Sequence, residues 1–171
     1  MCHGKGIDYY KDGNIKYEGE FINDKYEGKG KFIFENGEYY IGEFVKNNQH
    51  AKGIEYYKND TVKYEGEFII GKYEGKGKFI FENGNYYIGE FMNNCKNGKG
   101  IDYYKDGNIK YEGEYINDKY EGKGKYIYEN GDYYIGEFLN DCKHGKGIEY
   151  YKNGNIKYEG EFINDKYEGK G

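Results

Sequence analysis

A short phrase, in which aromatic residues and glycine alternate with acids, recurs along the whole chain. It reads Tyr-x-Gly-Glu followed by Phe or Tyr, and consecutive copies begin 23 and 24 residues apart in alternation. A second phrase, Gly-Lys-Gly, lies between the copies, and Ala-Lys-Gly takes its place once, at Ala51. The unit is therefore about 23 residues long, and two unit types alternate with a period of 47 residues. Self-similarity at a fixed period is the sequence signature of a repeat architecture.

The unit predicts two short β-strands joined by turns. In residues 31–44, two aromatic and β-branched runs flank Asn36-Gly37, a pair that tolerates the positive φ of a tight hairpin turn. The second unit type, as in residues 4–21, has one additional residue between its two aromatic runs. We place this residue in the turn that joins its two strands. No segment has the apolar spacing of a helix. We therefore expect an all-β fold: an elongated single-layer antiparallel β-meander of repeated hairpins without substantial helix, as one array over residues 1–171 with partial units at both ends.

Alternation along a strand predicts two different faces of this sheet. In residues 17–21, Tyr17, Gly19 and Phe21 share one face, and Glu18 and Glu20 take the other. One face is thus aromatic and glycine-rich, and its glycines leave room for the large rings of neighbouring strands.

The composition agrees with an aromatic core and excludes several function classes. Hydrophobic residues make up 36% of the chain, yet 25 Tyr and 10 Phe supply apolar area that a disordered chain lacks. The formal net charge is −5, and the 26 basic residues, all Lys, are interleaved with 31 acids, which argues against a nucleic-acid partner. No apolar run approaches the roughly 18 residues that span a bilayer. Three Cys, an odd number, fit a reduced cytoplasmic setting better than a disulfide framework.

These phrases and their spacing resemble the MORN (membrane occupation and recognition nexus) repeat family across essentially the whole chain. The chain departs from the family pattern in having Phe or Tyr where Trp is often found, and in lacking Pro. The resemblance implies a curved, elongated meander with an aromatic groove. It also implies attachment or scaffold roles, sometimes beside a catalytic domain such as a lipid kinase or a lysine methyltransferase.

No catalytic residues and no cofactor are predicted. The chain has no Ser, and Gly-Lys is never followed by Ser or Thr, so the phosphate-loop pattern fails. For metals, His3, His50 and His144 share one register, and Cys95 and Cys142 share another. The best candidate is a half-site at Cys142 and His144. Successive copies lie about 19 Å apart at about 4.8 Å per strand, too far to complete the four ligands that zinc needs, so we predict no metal site.

Four acids stand where the other unit type has Phe or Tyr: Asp8, Glu55, Asp102 and Glu149. Alternation points them toward the aromatic face, where they would orient a partner's cation. The alternative is a shifted local register or a wet groove rim.

The sequence favours a non-enzymatic cytoplasmic scaffold, at a membrane or cytoskeletal location, that binds a protein partner through its aromatic groove or its ends. The partner would be an amphipathic helix or an extended segment. Alternatives are a membrane-associating module that binds phospholipid, and a targeting fragment of a larger enzyme. Unpaired end strands also predict self-association. The predicted partner-binding residues are the rings of the repeated phrase: Tyr17, Phe21, Tyr40, Phe44, Tyr64, Phe68, Tyr87, Phe91, Tyr111, Tyr115, Tyr134, Phe138, Tyr158 and Phe162.

Overall fold

The structure, a computed structural model, describes residues 3–169, and these form fifteen β-strands and no helix. The all-β prediction is therefore confirmed. The strands are β1 His3–Tyr9, β2 Ile15–Ile22, β3 Lys25–Ile33, β4 Tyr39–Val45, β5 Asn48–Tyr56, β6 Val62–Ile69, β7 Lys72–Ile80, β8 Tyr86–Met92, β9 Cys95–Tyr103, β10 Ile109–Ile116, β11 Lys119–Ile127, β12 Tyr133–Leu139, β13 Cys142–Tyr150, β14 Ile156–Ile163 and β15 Lys166–Glu168.

The strands fall into two compact units, residues 1–82 and 83–171. In the first unit, each strand from β1 to β6 pairs antiparallel with the next strand in sequence. In the second, each strand from β8 to β14 does the same. Each unit is thus an antiparallel meander, as predicted. Within residues 3–169, no helix is long and apolar enough to cross a lipid bilayer.

The tightest turns lie at two-residue pairs, most often Asn-Asp, and not at Asn-Gly. Asn23 and Asp24 both have positive φ, 52° and 62°, which is the conformation of a two-residue hairpin turn. At Asn36-Gly37 only Gly37 has positive φ (87°), and its N–H donates to the Phe34 carbonyl at 2.9 Å. The hairpin predicted there is confirmed, but its turn is the longer kind, in which one glycine supplies the left-handed residue.

The additional residue of the second unit type does not lie in the turn, so that prediction is wrong. Both unit types close the turn with the same backbone hydrogen bond of 2.9 Å, from Tyr10 to Asn14 and from Phe34 to Glu38. The additional residue is Lys16, which forms a β-bulge in β2. The same bulge recurs at Lys63, Lys110 and Lys157.

The two faces of the sheet differ as predicted. In β2, Tyr17 and Phe21 are buried on one side, whereas Glu18 and Glu20 are exposed on the other. We call the side that carries Tyr17 and its equivalents the ring face, and the side that carries Glu18 and its equivalents the charged face.

Candidate functional site

The tyrosine that opens each repeat lies flat over two glycines. Gly19 and Gly30 are opposite each other on β2 and β3, and the ring of Tyr17 covers both. A Cβ on Gly30 would lie only 2.5 Å from the Cε2 atom of Tyr17, so glycine is required there. The Tyr17 hydroxyl donates to the Glu20 carbonyl at 3.1 Å. The glycines therefore make room for a ring of their own repeat rather than for rings of neighbouring strands alone.

Neighbouring rings then close over this tyrosine. Phe21 meets Tyr17 edge-on at 5.2 Å between ring centres, and Phe44 meets it edge-on at 5.0 Å. Tyr26 stacks on Tyr17 at 3.9 Å with an angle of 11° between the ring planes. Edge-on and offset stacked pairs are the favoured geometries for aromatic rings. The same arrangement recurs around Tyr64 and Tyr111, with stacked partners at 3.8 Å.

This interlocking buries the rings that the sequence predicted as partner-binding. Thirteen of the fourteen are at most 9% exposed, and only Tyr158 is half-buried. A groove that presented these rings to a partner would leave them exposed, but in the structure each ring is covered by rings of the same and the next hairpin. Direct contact between a partner and these rings stays a prediction.

The four acids that replace an aromatic residue do lie on the ring face. Glu55, Asp102 and Glu149 are 8%, 7% and 5% exposed. Asp102 is opposite Tyr111 on β10, which places its carboxylate among the rings. The expectation that these acids point toward the ring face is confirmed, although the register does shift directly beside each acid, at the bulges described above.

Each acid accepts a hydrogen bond from a tyrosine two strands further on. The hydroxyl of Tyr26 donates to Asp8 at 2.5 Å, and that of Tyr120 donates to Asp102 at 3.0 Å. The carboxylate therefore links strands that are not direct neighbours, such as β9 and β11.

Lysines of the chain itself neutralise these buried acids. Lys96 Nζ lies 2.5 Å from the Asp102 carboxylate. In the first unit, Lys63 from the β6 bulge bridges Glu55 at 3.0 Å and Glu38 at 2.7 Å. Gln49 occupies the position of Lys96 in this earlier copy, so the cation comes from the bulge instead. Internal ammonium groups thus take the place that the sequence suggested for a partner's cation.

Glu149 shows how this environment shifts a carboxyl pKa. Burial opposes its ionisation, but the hydrogen bond from Tyr167 and the charges of Lys143 and Lys157 outweigh burial and lower the pKa below its usual range. The distances are 2.5 Å to Tyr167, 3.5 Å to Lys143 and 3.7 Å to Lys157. The carboxylate is thus held ionised and fully engaged inside the protein.

The pKa values of the tyrosine hydroxyls shift in the opposite direction, upward. Burial raises the pKa of Tyr17, Tyr40 and Tyr134 to about 12. For Tyr167, the hydrogen bond to Glu149 together with burial raises the pKa to about 12. These hydroxyls stay protonated donors at neutral pH.

A second set of rings on the ring face is only partly covered. We call them the rim rings: Phe32, Phe34, Phe79, Phe81, Tyr126 and Tyr128. The two rings of each pair lie 5.1, 4.9 and 4.9 Å apart, in that order. In the first unit, Phe32 and Phe34 line an open concavity together with Tyr10 and Lys16. The sequence signal for these residues is Phe-Ile-Phe or Tyr-Ile-Tyr before the Asn-Gly turn, outside the repeated phrase.

The cysteine and histidine positions do not assemble a metal centre. Cys95 and Cys142 are free, and burial together with Asp118 or Asp165 raises the pKa of their thiols. Within residues 3–169, no three His, Cys, Asp or Glu side chains are placed to hold a metal ion. Cys2 lies outside the described residues.

Together, the hairpin period, the tyrosine over a glycine pair and the interlocked rings define a β-repeat protein. A family model for the MORN repeat matches seven copies, each beginning at the tyrosine described above, over residues 17–39, 40–62, 64–86, 87–109, 111–133, 134–156 and 158–171. The chain belongs to the MORN repeat family. Proteins of this family are generally non-catalytic, and their repeats often serve as membrane-associated or protein-interaction modules.

Proposed function

We propose that this protein is a non-enzymatic scaffold that binds a protein partner along its ring face, and that the partner contacts the rim rings first. The observation that carries the proposal is the exposure of these rings beside a fully buried ring core. Phe81 is 36% exposed, whereas Phe68 on the adjacent strand is 0% exposed. Tyr and Phe presented on a rigid sheet are typical anchors of protein interfaces.

The buried rings of the repeated phrase support this surface from below. Phe32 lies opposite Tyr17 and Tyr40, and its ring centre is 6.1 Å from that of Tyr26. A partner side chain that inserts between rim rings would therefore extend the aromatic core. An amphipathic helix or an extended segment fits a row of such pairs, because both present apolar side chains at regular spacing.

The buried acids support a non-enzymatic role. The two buried acids of the second unit, Asp102 and Glu149, are each engaged by a tyrosine hydroxyl and by lysine, as at Asp102 with Tyr120 and Lys96. A carboxylate held in this way contributes to structure and is not poised to transfer protons to a substrate.

The test compares a rim-ring variant with a matched variant on the opposite face. A partner recovered by pull-down and mass spectrometry is titrated against Phe34→Ala/Phe81→Ala and against Ile41→Ala/Ile69→Ala. Ile41 and Ile69 are 44% and 51% exposed and lie on the charged face. We expect the Kd to rise at least about tenfold for the rim-ring variant only, because truncation of an aromatic anchor removes a large part of the binding energy.

An unchanged Kd for a folded rim-ring variant would refute the ring-face site. Phe68→Ala is a poor substitute, because removing a ring that is 0% exposed costs about 3–5 kcal/mol of stability and confounds binding with unfolding. A second experiment measures co-sedimentation of the protein with anionic phospholipid vesicles. Co-sedimentation that falls with added salt, without any protein partner, would favour the membrane-associating alternative.

A further inference from the structure

The charged face of the second unit carries three rows of side chains across six strands, β8 to β13. The first row flanks the paired glycines and alternates in sign: Glu90, Lys99, Glu114, Lys123, Glu137 and Lys146. Register shifts interrupt this row between β8 and β9, β10 and β11, and β12 and β13, where Glu114 is opposite Glu121 and Glu137 is opposite His144. The second row combines isoleucine pairs with one ion pair: Ile88, Ile101, Glu112, Lys125, Ile135 and Ile148. The third row is wholly apolar or aromatic: Tyr86, Tyr103, Ile109, Ile127, Tyr133 and Tyr150.

When a row is compared with the same row in reversed strand order, the residues that face each other are complementary. Reversal places every Glu of the first row opposite a Lys. In the second row it places Ile opposite Ile and Glu112 opposite Lys125. In the third row it places Tyr opposite Tyr and Ile opposite Ile. The centre of this pattern lies between β10 and β11, where Glu112 and Lys125 are paired across the two strands.

This pattern is the one that a two-fold axis requires. A rotation by 180° about a line parallel to the strands, between β10 and β11, turns the sheet over, reverses the strand order and keeps each row at its height along the strands. A two-fold interface uses the same surface on both copies, so the surface must be complementary to itself. The second row meets this condition in register across all six strands. The first and third rows follow the same order of residue types from strand to strand.

We propose that this face binds the same face of a second copy of the chain, with the two-fold axis between β10 and β11. The ring face stays free in this arrangement, so the dimer is independent of the partner site proposed above. Glu112 of one copy lies against Lys125 of the other, and the isoleucine pairs meet on both sides of this centre.

Charge balance favours a second copy over other occupants. The face carries four acids and four lysines, in the first two rows combined. An anionic membrane or another strongly charged partner finds no excess of opposite charge on it, whereas a second copy presents an opposite charge at every position. Complementary charges of this kind fix orientation and register more than they add affinity.

The size of the face reaches the lower limit for a specific interface. Six strands at about 4.8 Å, with the roughly five residues that the rows span at about 3.4 Å, cover on the order of 500 Å² per copy. The total of about 1,000 Å² matches the area that a biological interface needs at least. The isoleucines supply apolar area, since Ile88 and Ile135 are 43% and 44% exposed. Two sheets that pack face to face do so about 10 Å apart with their strands nearly aligned, as this axis requires.

Two single charge reversals at the centre test the proposal. Glu112→Lys places Lys against Lys125 of the other copy, and Lys125→Glu places Glu against Glu112. An equimolar mixture restores both opposite pairs, because each variant supplies the charge that the other needs. By sedimentation velocity on the full chain, we expect a wild-type dimer, a dimer Kd at least about tenfold higher for each variant, and a heterodimer of near wild-type Kd in the mixture.

The controls separate the interface from net charge and from folding. Glu129→Lys and Lys105→Glu make the same charge changes at exposed turn residues, and both should dimerise like the wild type. Circular dichroism checks that each variant is folded. Ile135→Asn supplies a further variant that weakens the dimer and leaves the pair of Glu112 and Lys125 within the sheet intact.

Three results would overturn the proposal. The first is a wild-type chain that stays monomeric at high concentration. The second is a dimer that both charge reversals leave unchanged, which would place the contact elsewhere, for example at the strand ends. The third is a mixture of two folded variants that fails to recover the dimer.

Discussion

Tyr167 on β15 donates a hydrogen bond of 2.5 Å to Glu149 on β13, across the whole width of β14. Ordinary pairing in a meander joins only neighbouring strands, so the acids of the ring face add a second set of links. Because these links depend on an ionised carboxylate, they make the stability of the sheet depend on pH.

Acid should therefore weaken the fold through Glu149. Its pKa is lowered in the folded state, so its contribution is present above the unfolded pKa, about 4.3, and is lost as the pH falls through the folded value. Glu149→Gln should cost about 1–3 kcal/mol at pH 7, because it leaves buried partners unpaired. Thermal melts between pH 7 and pH 2.5 measure this. The variant should lose less Tm on acidification than the wild type, and parallel curves would contradict the assignment.

Alkaline pH should weaken the fold through the tyrosines. The pKa of Tyr17, Tyr40 and Tyr134 is raised to about 12 when folded, so their stabilisation is present below about pH 10 and is lost as the pH rises through about 12. In a spectrophotometric titration at 295 nm, we expect these three buried tyrosines to ionise only well above pH 10, together with loss of the β-sheet signal. A single step near pH 10 in a chain that remains folded would refute this.

One turn holds a strained residue that a substitution should relieve. Ile70 has φ 51°, a conformation that is unfavourable for a β-branched side chain, and it is 68% exposed, so its side chain contributes little burial. Asn occupies this place at Asn23 and Asn117. Ile70→Asn should stabilise the protein by about 1 kcal/mol, or about 2–4 °C in Tm. The reverse change, Asn117→Ile, is the control and should destabilise by a similar amount.

The glycine beneath each tyrosine should tolerate no side chain. A Cβ on Gly89 would lie 2.5 Å from the Cζ atom of Tyr87 and 2.6 Å from the Cα of Gly100. We expect Gly89→Val to cost about 3 kcal/mol or more, because the ring cannot move without opening the core. Glu129→Gln, at an exposed turn position of the same unit, is the control and should change stability by less than about 0.5 kcal/mol. Equal Tm values for the two variants would contradict the face assignment.

Local rules predicted much of this architecture from the sequence. The repeat period and the alternation of Tyr17 with Glu18 predict where the strands lie and which face of the sheet each side chain occupies, because both depend only on neighbouring residues. The same alternation placed Glu55 on the ring face, although no sequence feature showed that Lys63 and Glu38 would meet it there.

Two features escaped prediction for physical reasons. Counting residues locates an insertion between two landmarks, but it cannot distinguish a longer turn from a bulge at Lys16, since both lengthen the segment by one residue. The burial of Tyr17 depends on Phe44, which is 27 positions later in the chain and comes from the next hairpin. Exposure in a repeat protein is a property of adjacent copies, so a single copy of the phrase does not reveal it.

The links between acid and tyrosine also constrain how such a gene changes its length. The position of Asp102 in the repeat carries an acid once every 47 residues, with Glu55 before it and Glu149 after it. Each of these acids needs the tyrosine that lies 18 residues downstream. Gain or loss of one 23-residue unit would therefore join two copies of the same type and leave an acid or a tyrosine without its counterpart. Duplications and deletions that span a pair of units preserve every such link, so recombination in steps of two hairpins is the neutral path for this gene.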